Sequence, residues 1–146
     1  MKQDELIAKG VSWFSGKGWQ PYPYQKQAWK AYLQGYQGLV NAPTGTGKTY
    51  ALGVAIILEN LKLAAQKNGA SRVQGLQAIW ITPIRALSLE IKNAMDTACC
   101  EFGLDWQVAV RTGDTSTKER ERQKRKAPEF LITTPESLHL LMASKN

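Results

Sequence analysis

Residues 42–49 decide the fold, and they read Ala42-Pro43-Thr44-Gly45-Thr46-Gly47-Lys48-Thr49. They fit the phosphate-binding pattern [AG]-x4-G-K-[ST], with alanine where the strict form has glycine. Glycines let successive backbone N–H groups approach a polyphosphate, and a helix starting near Lys48 would direct its positive end toward the same anion. In this chemistry the lysine reaches the β- and γ-phosphates, and the Thr49 hydroxyl is a ligand of Mg²⁺. The stretch therefore predicts a nucleotide site formed by Thr44, Gly45, Thr46, Gly47, Lys48 and Thr49.

The segments on either side of this loop support the same interpretation. Residues 38–41 form a short apolar run, Gly-Leu-Val-Asn, which predicts a strand. After the loop, apolar residues recur at helical spacing and predict a helix that continues to about residue 67. The alternative is a surface turn rich in glycine and threonine, which the strand–loop–helix context disfavours.

Further along the chain, predicted strands alternate with predicted helices. This alternation is typical of a parallel sheet flanked by helices, so the sequence predicts an α/β fold of the doubly wound class. Ligands of such sheets bind at the carboxyl ends of the strands, which is where the phosphate loop would lie. The other predicted strands span 76–81, 106–111 and 130–133, and the other predicted helices span 4–14, 24–34, 83–102 and 135–144, with part of 112–128 also helical.

The charge of the chain favours an anionic partner. Its 146 residues make at most one domain, and 19 Lys and Arg against 12 Asp and Glu give a net charge of +7. Four of these seven charges fall between Lys118 and Lys126. This run carries both signs of charge, which suits a solvated helix with ion pairs along its surface. We favour the solvated helix over a dedicated nucleic-acid patch.

The composition disfavours several other classes of protein. No apolar run reaches the roughly 18 residues of a membrane span, and the acidic start does not resemble a signal peptide. Cys99 and Cys100 are adjacent and lack the spacing of a metal site, so we expect reduced thiols in a cytoplasmic protein. His139 is the only histidine, which argues against histidine-based triads and metal clusters.

Three more segments follow predicted strands, namely 82–88 (TPIRALS), 111–115 (RTGDT) and 133–138 (TTPESL). In this order behind the phosphate loop they resemble superfamily 2 helicases of the DExH type, particularly the large helicase-related group associated with a DNA ligase. Upstream, Trp13-Phe14, Pro21-x-x-x-Gln25 and Gln27-Ala28-Trp29 match the same group. The resemblance covers nearly the whole chain. It implies a RecA-like P-loop NTPase fold, ATP and Mg²⁺ as cofactors, and ATP-dependent helicase activity.

The resemblance also implies roles for residues around the nucleotide. Lys48 and Thr49 would be the catalytic residues of the loop, and Gln25 would read adenine. An amide offers an acceptor and two donors, which complement the amino group and a ring nitrogen of that base. Trp19 and Tyr22 are both candidates to stack on the base. The alternative for Gln25 is a surface glutamine near a helix start.

Two of the segments resemble family motifs that contact the nucleic-acid backbone, 82–88 as motif Ia and 133–138 as motif Ib. Hydroxyls, helix-start N–H groups and an arginine can all donate to phosphate oxygens. Arg85 has a structural ion pair as its alternative, Thr134 and Ser137 have helix capping, and Gly113 has a plain turn. The implied partner is single-stranded DNA, with RNA also possible. The implied contact residues are Thr82, Pro83, Arg85, Thr134, Pro135 and Ser137.

The chain departs from the family pattern at its end. It stops at Asn146 without an Asp-Glu-x-His motif, which in the family supplies an acid that partners Mg²⁺. We expect residues 1–146 to be an incomplete, amino-terminal portion of the first RecA-like domain, whose partner is the rest of the helicase. Alone it should be inactive and marginally stable, with an exposed sheet edge. Two other functions stay open: a non-catalytic nucleotide or nucleic-acid binding module, and a different P-loop ATPase, which Gln25 and residues 133–137 disfavour.

Overall fold

The computed structural model describes residues 2–43, 47–66 and 75–144. The chain forms two compact units, Met1–Val73 and Gln74–Asn146. Each unit has buried apolar side chains of its own, with Trp29 and Ile57 in the first and Phe130 and Ile132 in the second.

The described part of the first unit is helical and contains α1 (Gln3–Gly16), α2 (Pro23–Leu33) and α3 (Lys48–Gln66). Pro23 lies in the first turn of α2, where its missing N–H costs no helical hydrogen bond. α3 follows Gly47, whose φ of 82° lies in the left-handed region that glycine adopts without strain. All three helices were predicted, and their ends differ from the prediction by no more than two residues.

The strand predicted at residues 38–41 is wrong. These residues have no regular secondary structure, and the side chain of Leu39 is 92% exposed. A β-strand is stable only when a neighbouring strand satisfies its backbone N–H and C=O groups. The described residues of the first unit form helices and loops only, so this apolar run has no strand in its own unit with which to pair.

The second unit combines a small sheet with three helices. Its elements are β1 (Ala78–Ile81), α4 (Arg85–Glu101), β2 (Val108–Arg111), α5 (Thr117–Arg125), β3 (Phe130–Thr133) and α6 (Pro135–Ala143). β3 lies between β1 and β2 and is parallel to both, and all four of its residues are buried. The predicted parallel sheet is thus confirmed for these three strands. β3 has the predicted bounds, and β1 and β2 begin two residues later than predicted.

The two outer strands of the described sheet differ in how their edges are covered. At β2, the Val110 carbonyl accepts hydrogen bonds from Gln123 Nε2 at 3.1 Å and Thr115 Oγ1 at 3.3 Å. At β1, Ala78 N donates to Glu129 O and Thr82 N donates to Thr133 O. The backbone N–H and C=O groups of the even-numbered residues of β1 therefore point toward β3. The backbone groups of Ile79 and Ile81 therefore point away from β3, and their side chains are about half exposed. In the described residues this side of β1 has no neighbouring strand.

The basic run Lys118–Lys126 forms most of α5, as the solvated-helix interpretation predicted. Ser116 caps the helix by accepting a hydrogen bond from Glu119 N, and Glu119 pairs with Arg122 one turn away at 3.6 Å. Gln123 is buried against β2, while most of the cations are exposed. In the part of the chain that the structure describes, no helix has the length and apolarity needed to cross a bilayer.

Candidate nucleotide and nucleic-acid sites

The start of α3 carries the described part of the predicted phosphate site. Lys48 is the first residue of this helix and is exposed, and Thr49 follows it and is half-buried. The first N–H groups of a helix have no acceptor within it, and α3 has no acidic residue in its first turn. This helix start therefore suits an anion. Thr44, Gly45 and Thr46, also predicted to hold phosphate, lie outside the described residues.

Gln25 connects α2 to the last glycine of the phosphate loop. Its Nε2 donates to the Gly47 carbonyl at 2.9 Å, and its Oε1 accepts from Tyr22 N at 2.8 Å. The side chain lies near the start of α2, as the alternative supposed, but Gln25 is only 2% exposed, so a surface glutamine is wrong. One Nε2 hydrogen and one Oε1 lone pair remain for another partner. A β-carbon added at Gly47 would lie 2.5 Å from Nε2, so the close approach requires glycine.

An aromatic cluster surrounds the same helix start. The ring of Tyr50 lies 5.5 Å from that of Trp13 and 5.4 Å from that of Trp19, and Phe14 is 5.4 Å from Trp29. The indole Nε1 of Trp29 donates to the Tyr50 carbonyl at 3.1 Å. Trp19 is part of this cluster with one side exposed. Of the two stacking candidates, Trp19 is thus packed against the start of α3.

Tyr22, the other stacking candidate, lies outside the cluster. It is exposed, its ring stacks on Tyr24 at 6.2 Å, and its backbone N–H is held by Gln25. The backbone N–H of Tyr22 is therefore bonded to the amide that is proposed to read the base.

In the second unit, three threonines directly follow the strands. Thr82 follows β1, Thr112 follows β2 and Thr134 follows β3, and all three are buried. Because the strands are parallel, their carboxyl ends meet at one edge of the sheet. The Thr133 hydroxyl donates to the Arg111 carbonyl at 2.7 Å and thereby joins the ends of β3 and β2. The candidate nucleic-acid residues of this unit are therefore brought together at this edge.

Arg85 makes the ion pair that was its alternative. Its Nη1 lies 3.2 Å from Oδ1 of Asp114, and the two side chains are 58% and 74% exposed. The guanidinium passes over Gly113, where an added β-carbon would lie 2.5 Å from Nη2. A side chain at position 113 would therefore displace the end of the Arg85 side chain, which is exposed and flexible. Exposed pairs contribute only about 0–1 kcal/mol, so a phosphate could compete for the arginine.

Helix capping is confirmed for Thr134 and Ser137. Ser137 N donates to Thr134 Oγ1 at 3.4 Å, and Thr134 Oγ1 donates to Ser137 Oγ at 3.1 Å. Both residues are nearly fully buried, whereas Pro135 between them is exposed. Thr82 is arranged in a similar way: its Oγ1 accepts from Ile84 N at 3.4 Å, and Pro83 is exposed. These hydroxyls are used within the protein, so backbone groups and Arg85 are the more accessible donors.

Further cations lie near the end of β2, where the sequence argument had not placed them. Arg120 Nη2 donates to the Thr112 carbonyl at 3.1 Å. Burial, and to a lesser extent the nearby charge of Arg120, lower the pKa of Arg111. The lowered pKa reflects mainly the burial of Arg111, and the two guanidinium groups place two positive charges near the end of β2. The signal in the sequence was the basic run itself, but the packing of Arg120 on Thr112 depends on the fold.

Thr49 is the residue that fits the predicted Mg²⁺. Its hydroxyl is in the first turn of α3, next to the N–H groups that suit phosphate. The described residues hold no cluster of three or more His, Cys, Asp or Glu side chains. Mg²⁺ is commonly held by one or two carboxylates together with water and substrate phosphates, so the Thr49 hydroxyl would supply one ligand beside those groups.

The fold matches solved helicase structures. The DEAD-box helicase Mss116 bound to ssRNA and UDP-BeF aligns with a TM-score of 0.73 over 99% of this chain and 30% of that one, at 22% identity. This likeness shows a RecA-like helicase fold, here with three strands in the described residues. The model of the DEAD/DEAH box helicase family matches residues 22–146, and the chain belongs to this family.

Within the family, the chain is similar to helicases of the Lhr type. It is 35% identical over 152 aligned residues to the ATP-dependent helicase Lhr-Core of Methanocaldococcus jannaschii, covering 96% of this chain and 18% of that protein. The structure of Mycobacterium smegmatis helicase Lhr bound to ssDNA and AMP-PNP aligns with a TM-score of 0.64 and 30% identity, over 97% of this chain and 18% of that one. The chain thus spans less than a fifth of these relatives, and the predicted resemblance is confirmed.

Proposed function

We propose that this chain is the ATP-binding, amino-terminal portion of a DNA helicase that couples ATP hydrolysis to movement along single-stranded DNA. The observation that carries the proposal is the 2.9 Å hydrogen bond from Gln25 to Gly47. It joins the residue expected to read adenine to the loop expected to hold phosphate. One ligand with a base and a phosphate chain would occupy both.

The nucleotide roles follow from this arrangement. The N–H groups of the first turn of α3 and the Lys48 ammonium would bind the phosphates, together with Thr44, Gly45, Thr46 and Gly47 of the loop. The free donor and acceptor of Gln25 would read the base. Thr49 would hold Mg²⁺, which supplies charge neutralisation for the phosphates when bound.

The nucleic-acid roles fall to the carboxyl edge of the sheet in the second unit. Arg85 would bind a backbone phosphate, and the helix starts that follow Pro83 and Pro135 would offer N–H donors. Thr134, bonded to Ser137, would hold the start of α6 in place by capping it, and Thr82 would hold the segment before α4 through its bond to Ile84 N. Single-stranded DNA is the partner we favour, supported by the M. smegmatis helicase Lhr, whose structure is bound to ssDNA.

Hydrolysis belongs, in this proposal, to a longer protein that acts in the cytoplasm. The 146 residues contain no Asp-Glu-x-His sequence, so an acid to partner Mg²⁺ and position the attacking water would come from the rest of the helicase. The second candidate is a module that binds nucleotide without turnover. Phosphate release from the longer protein, with none from a protein lacking the acid, would support the helicase.

Replacing Lys48 with alanine tests the proposal. Calorimetry should show that the 146-residue chain binds AMP-PNP in the presence of Mg²⁺, and that Lys48→Ala abolishes this binding because the phosphates lose their side-chain cation. Lys9→Ala is the matched control, since Lys9 is an exposed lysine of α1 in the same unit. Retained affinity in Lys48→Ala, or no binding by the unmodified chain, would refute the nucleotide assignment.

A further inference from the structure

α2 holds the start of α3 at two points. Gln25 and Trp29 are four residues apart, so their side chains project from the same face of α2. Each donates a side-chain N–H to a carbonyl at the start of α3: Gln25 to Gly47 at 2.9 Å, and Trp29 to Tyr50 at 3.1 Å. These two carbonyls bracket Lys48 and Thr49. The backbone that would bind phosphate is therefore fixed from both sides by one neighbouring helix.

Both carbonyls can accept these bonds without losing their place in α3. The Gly47 carbonyl also accepts from Ala51 N at 3.1 Å, which closes the first turn of the helix. A carbonyl oxygen has two lone pairs, so a side-chain donor can be added to the helical bond. The added bonds orient the first turn without breaking the helix.

Trp29 is well suited to fix a direction, because its ring has no room to move. It is 0% exposed, and it packs edge-to-face on Phe14 at 5.4 Å. On another side it meets Gly10, where an added β-carbon would lie 2.8 Å from the ring carbon Cζ3. Only glycine at position 10 leaves space for the indole. Its N–H is consequently held in one place by the core of the first unit.

We propose that Trp29 is a positioning residue for the nucleotide phosphates. It touches no ligand itself but holds the Tyr50 carbonyl, and through it the direction of the N–H groups of Lys48 and Thr49. This inference rests on the proposed function, because it assumes that the start of α3 binds the phosphates of ATP. Two residues of α2 would then have different roles. Gln25 would contact both the base and the phosphate loop, whereas Trp29 would affect only the binding of the phosphates.

A tryptophan that only packs would behave differently when changed to phenylalanine. Trp29→Phe keeps an aromatic ring on Phe14 and Gly10 but removes the N–H that bonds to Tyr50. If Trp29 positions the phosphate site, affinity for ATP should fall while affinity for adenosine, which has no phosphate, is retained. If it only packs, any loss should follow the melting temperature and affect both ligands alike.

The experiment measures ATP and adenosine binding to the 146-residue chain by competition with a fluorescent ATP analogue. We expect Trp29→Phe to weaken ATP about three- to tenfold, the effect of losing one hydrogen bond, and to change adenosine by less than about twofold. Trp106→Phe, the same substitution in the second unit, is the control and should change neither. Replacing Trp29 by its benzothiophene analogue removes the N–H at constant shape, which covers the case in which Trp29→Phe fails to fold.

The outcomes separate the two proposals. Absence of ATP binding by the unmodified chain would refute the proposed function and this inference with it. ATP binding by the unmodified chain that is unchanged in Trp29→Phe and in the analogue would overturn the inference alone. An equal loss of ATP and adenosine affinity in the folded analogue would also overturn it.

Discussion

Arg85 and Asp114 form an ion pair across the end of β3, with 3.2 Å between Nη1 and Oδ1. Arg85 begins α4 just after β1, and Asp114 follows β2, while β3 lies between these two strands in the sheet. The pair therefore joins the two outer loops at the carboxyl edge where the nucleic-acid contacts are proposed. Both side chains are largely exposed, so the pair is weak and its arginine is open to a competing anion.

This competition predicts opposite effects for the two partners. Arg85→Gln should weaken binding of a labelled single-stranded oligonucleotide and lower the slope of log affinity against log salt by about 0.7, since one phosphate contact is lost. Asp114→Asn should tighten binding, by a few-fold for an exposed pair worth about 0–1 kcal/mol, because the phosphate no longer displaces a carboxylate. Fluorescence anisotropy across a salt series measures both.

Asp4→Asn is the control for Asp114→Asn, since it makes the same change in net charge at an exposed position of the first unit. If Asp114→Asn binds DNA no more tightly than Asp4→Asn, the carboxylate is not a competitor of phosphate. An Arg85→Gln protein with unchanged salt dependence would remove Arg85 from the nucleic-acid site.

We expect an added methyl group to lower the free energy of unfolding by different amounts at two glycines. At Gly10 the β-carbon would lie 2.8 Å from the buried Trp29 ring, which cannot yield. At Gly113 it would lie 2.5 Å from the end of the Arg85 side chain, which is exposed and can swing away. Gly10→Ala should lower the free energy of unfolding by about 1 kcal/mol, because overpacking outweighs the gain in helix propensity.

Gly113→Ala should leave this free energy within about 0.5 kcal/mol of the unmodified value while breaking the Arg85–Asp114 pair. Urea unfolding of both variants makes the comparison. If Gly10→Ala costs as little as Gly113→Ala, the Trp29 ring is not rigidly held. A large loss in Gly113→Ala alone would show that the Arg85 side chain, and not the Trp29 ring, is the one that cannot move.

The adjacent cysteines should differ in reactivity. Burial chiefly, with smaller contributions from the charges of Asp96, Cys100 and Glu129, raises the pKa of Cys99 from 9.0 to about 12, whereas Cys100 is exposed. At pH 8 an alkylating reagent should label Cys100 in the folded protein and Cys99 only after unfolding, as mass spectrometry can determine. A Cys100→Ser protein that is still labelled while folded would contradict the assignment.

The Cys99 thiol also contributes to the pH dependence of the free energy of unfolding. In the unfolded chain it ionises near its ordinary pKa of 9.0, but in the folded chain it keeps its proton until about pH 12. The folded state binds the proton more tightly, so this contribution is complete below pH 9 and is lost as the pH rises toward 12. Cys99→Ala should flatten the fall in unfolding free energy over that interval.

Features set by neighbours in sequence were predictable, and features set by distant contacts were not. β3 was predicted with its observed bounds because four apolar or β-branched residues lie between turn signals. The capping of α6 was foreseen as an alternative, since Thr134 and Ser137 are three residues apart. The strand predicted at 38–41 failed because an apolar run does not show whether a neighbouring strand will accept it.

The candidate site shows the same division. The resemblance to helicases identified Gln25, but its burial and its bond to Gly47 depend on a contact 22 residues along the chain. The Trp29–Tyr50 bond and the Arg85–Asp114 pair join residues that are 21 and 29 positions apart. No local sequence pattern predicts these contacts. The residue types of the site could therefore be predicted, while the contacts that orient those residues came from the fold.

The two edge strands of the described sheet, β1 and β2, differ in how readily they could pair with a further strand. Gln123 and Thr115 occupy the Val110 carbonyl on the outer side of β2, whereas no strand of the described sheet lies beside the outer backbone groups of Ile79 and Ile81. A second copy that paired there about a two-fold axis would leave covered strands on both outer sides. Such pairing would end at two chains instead of propagating into a fibre.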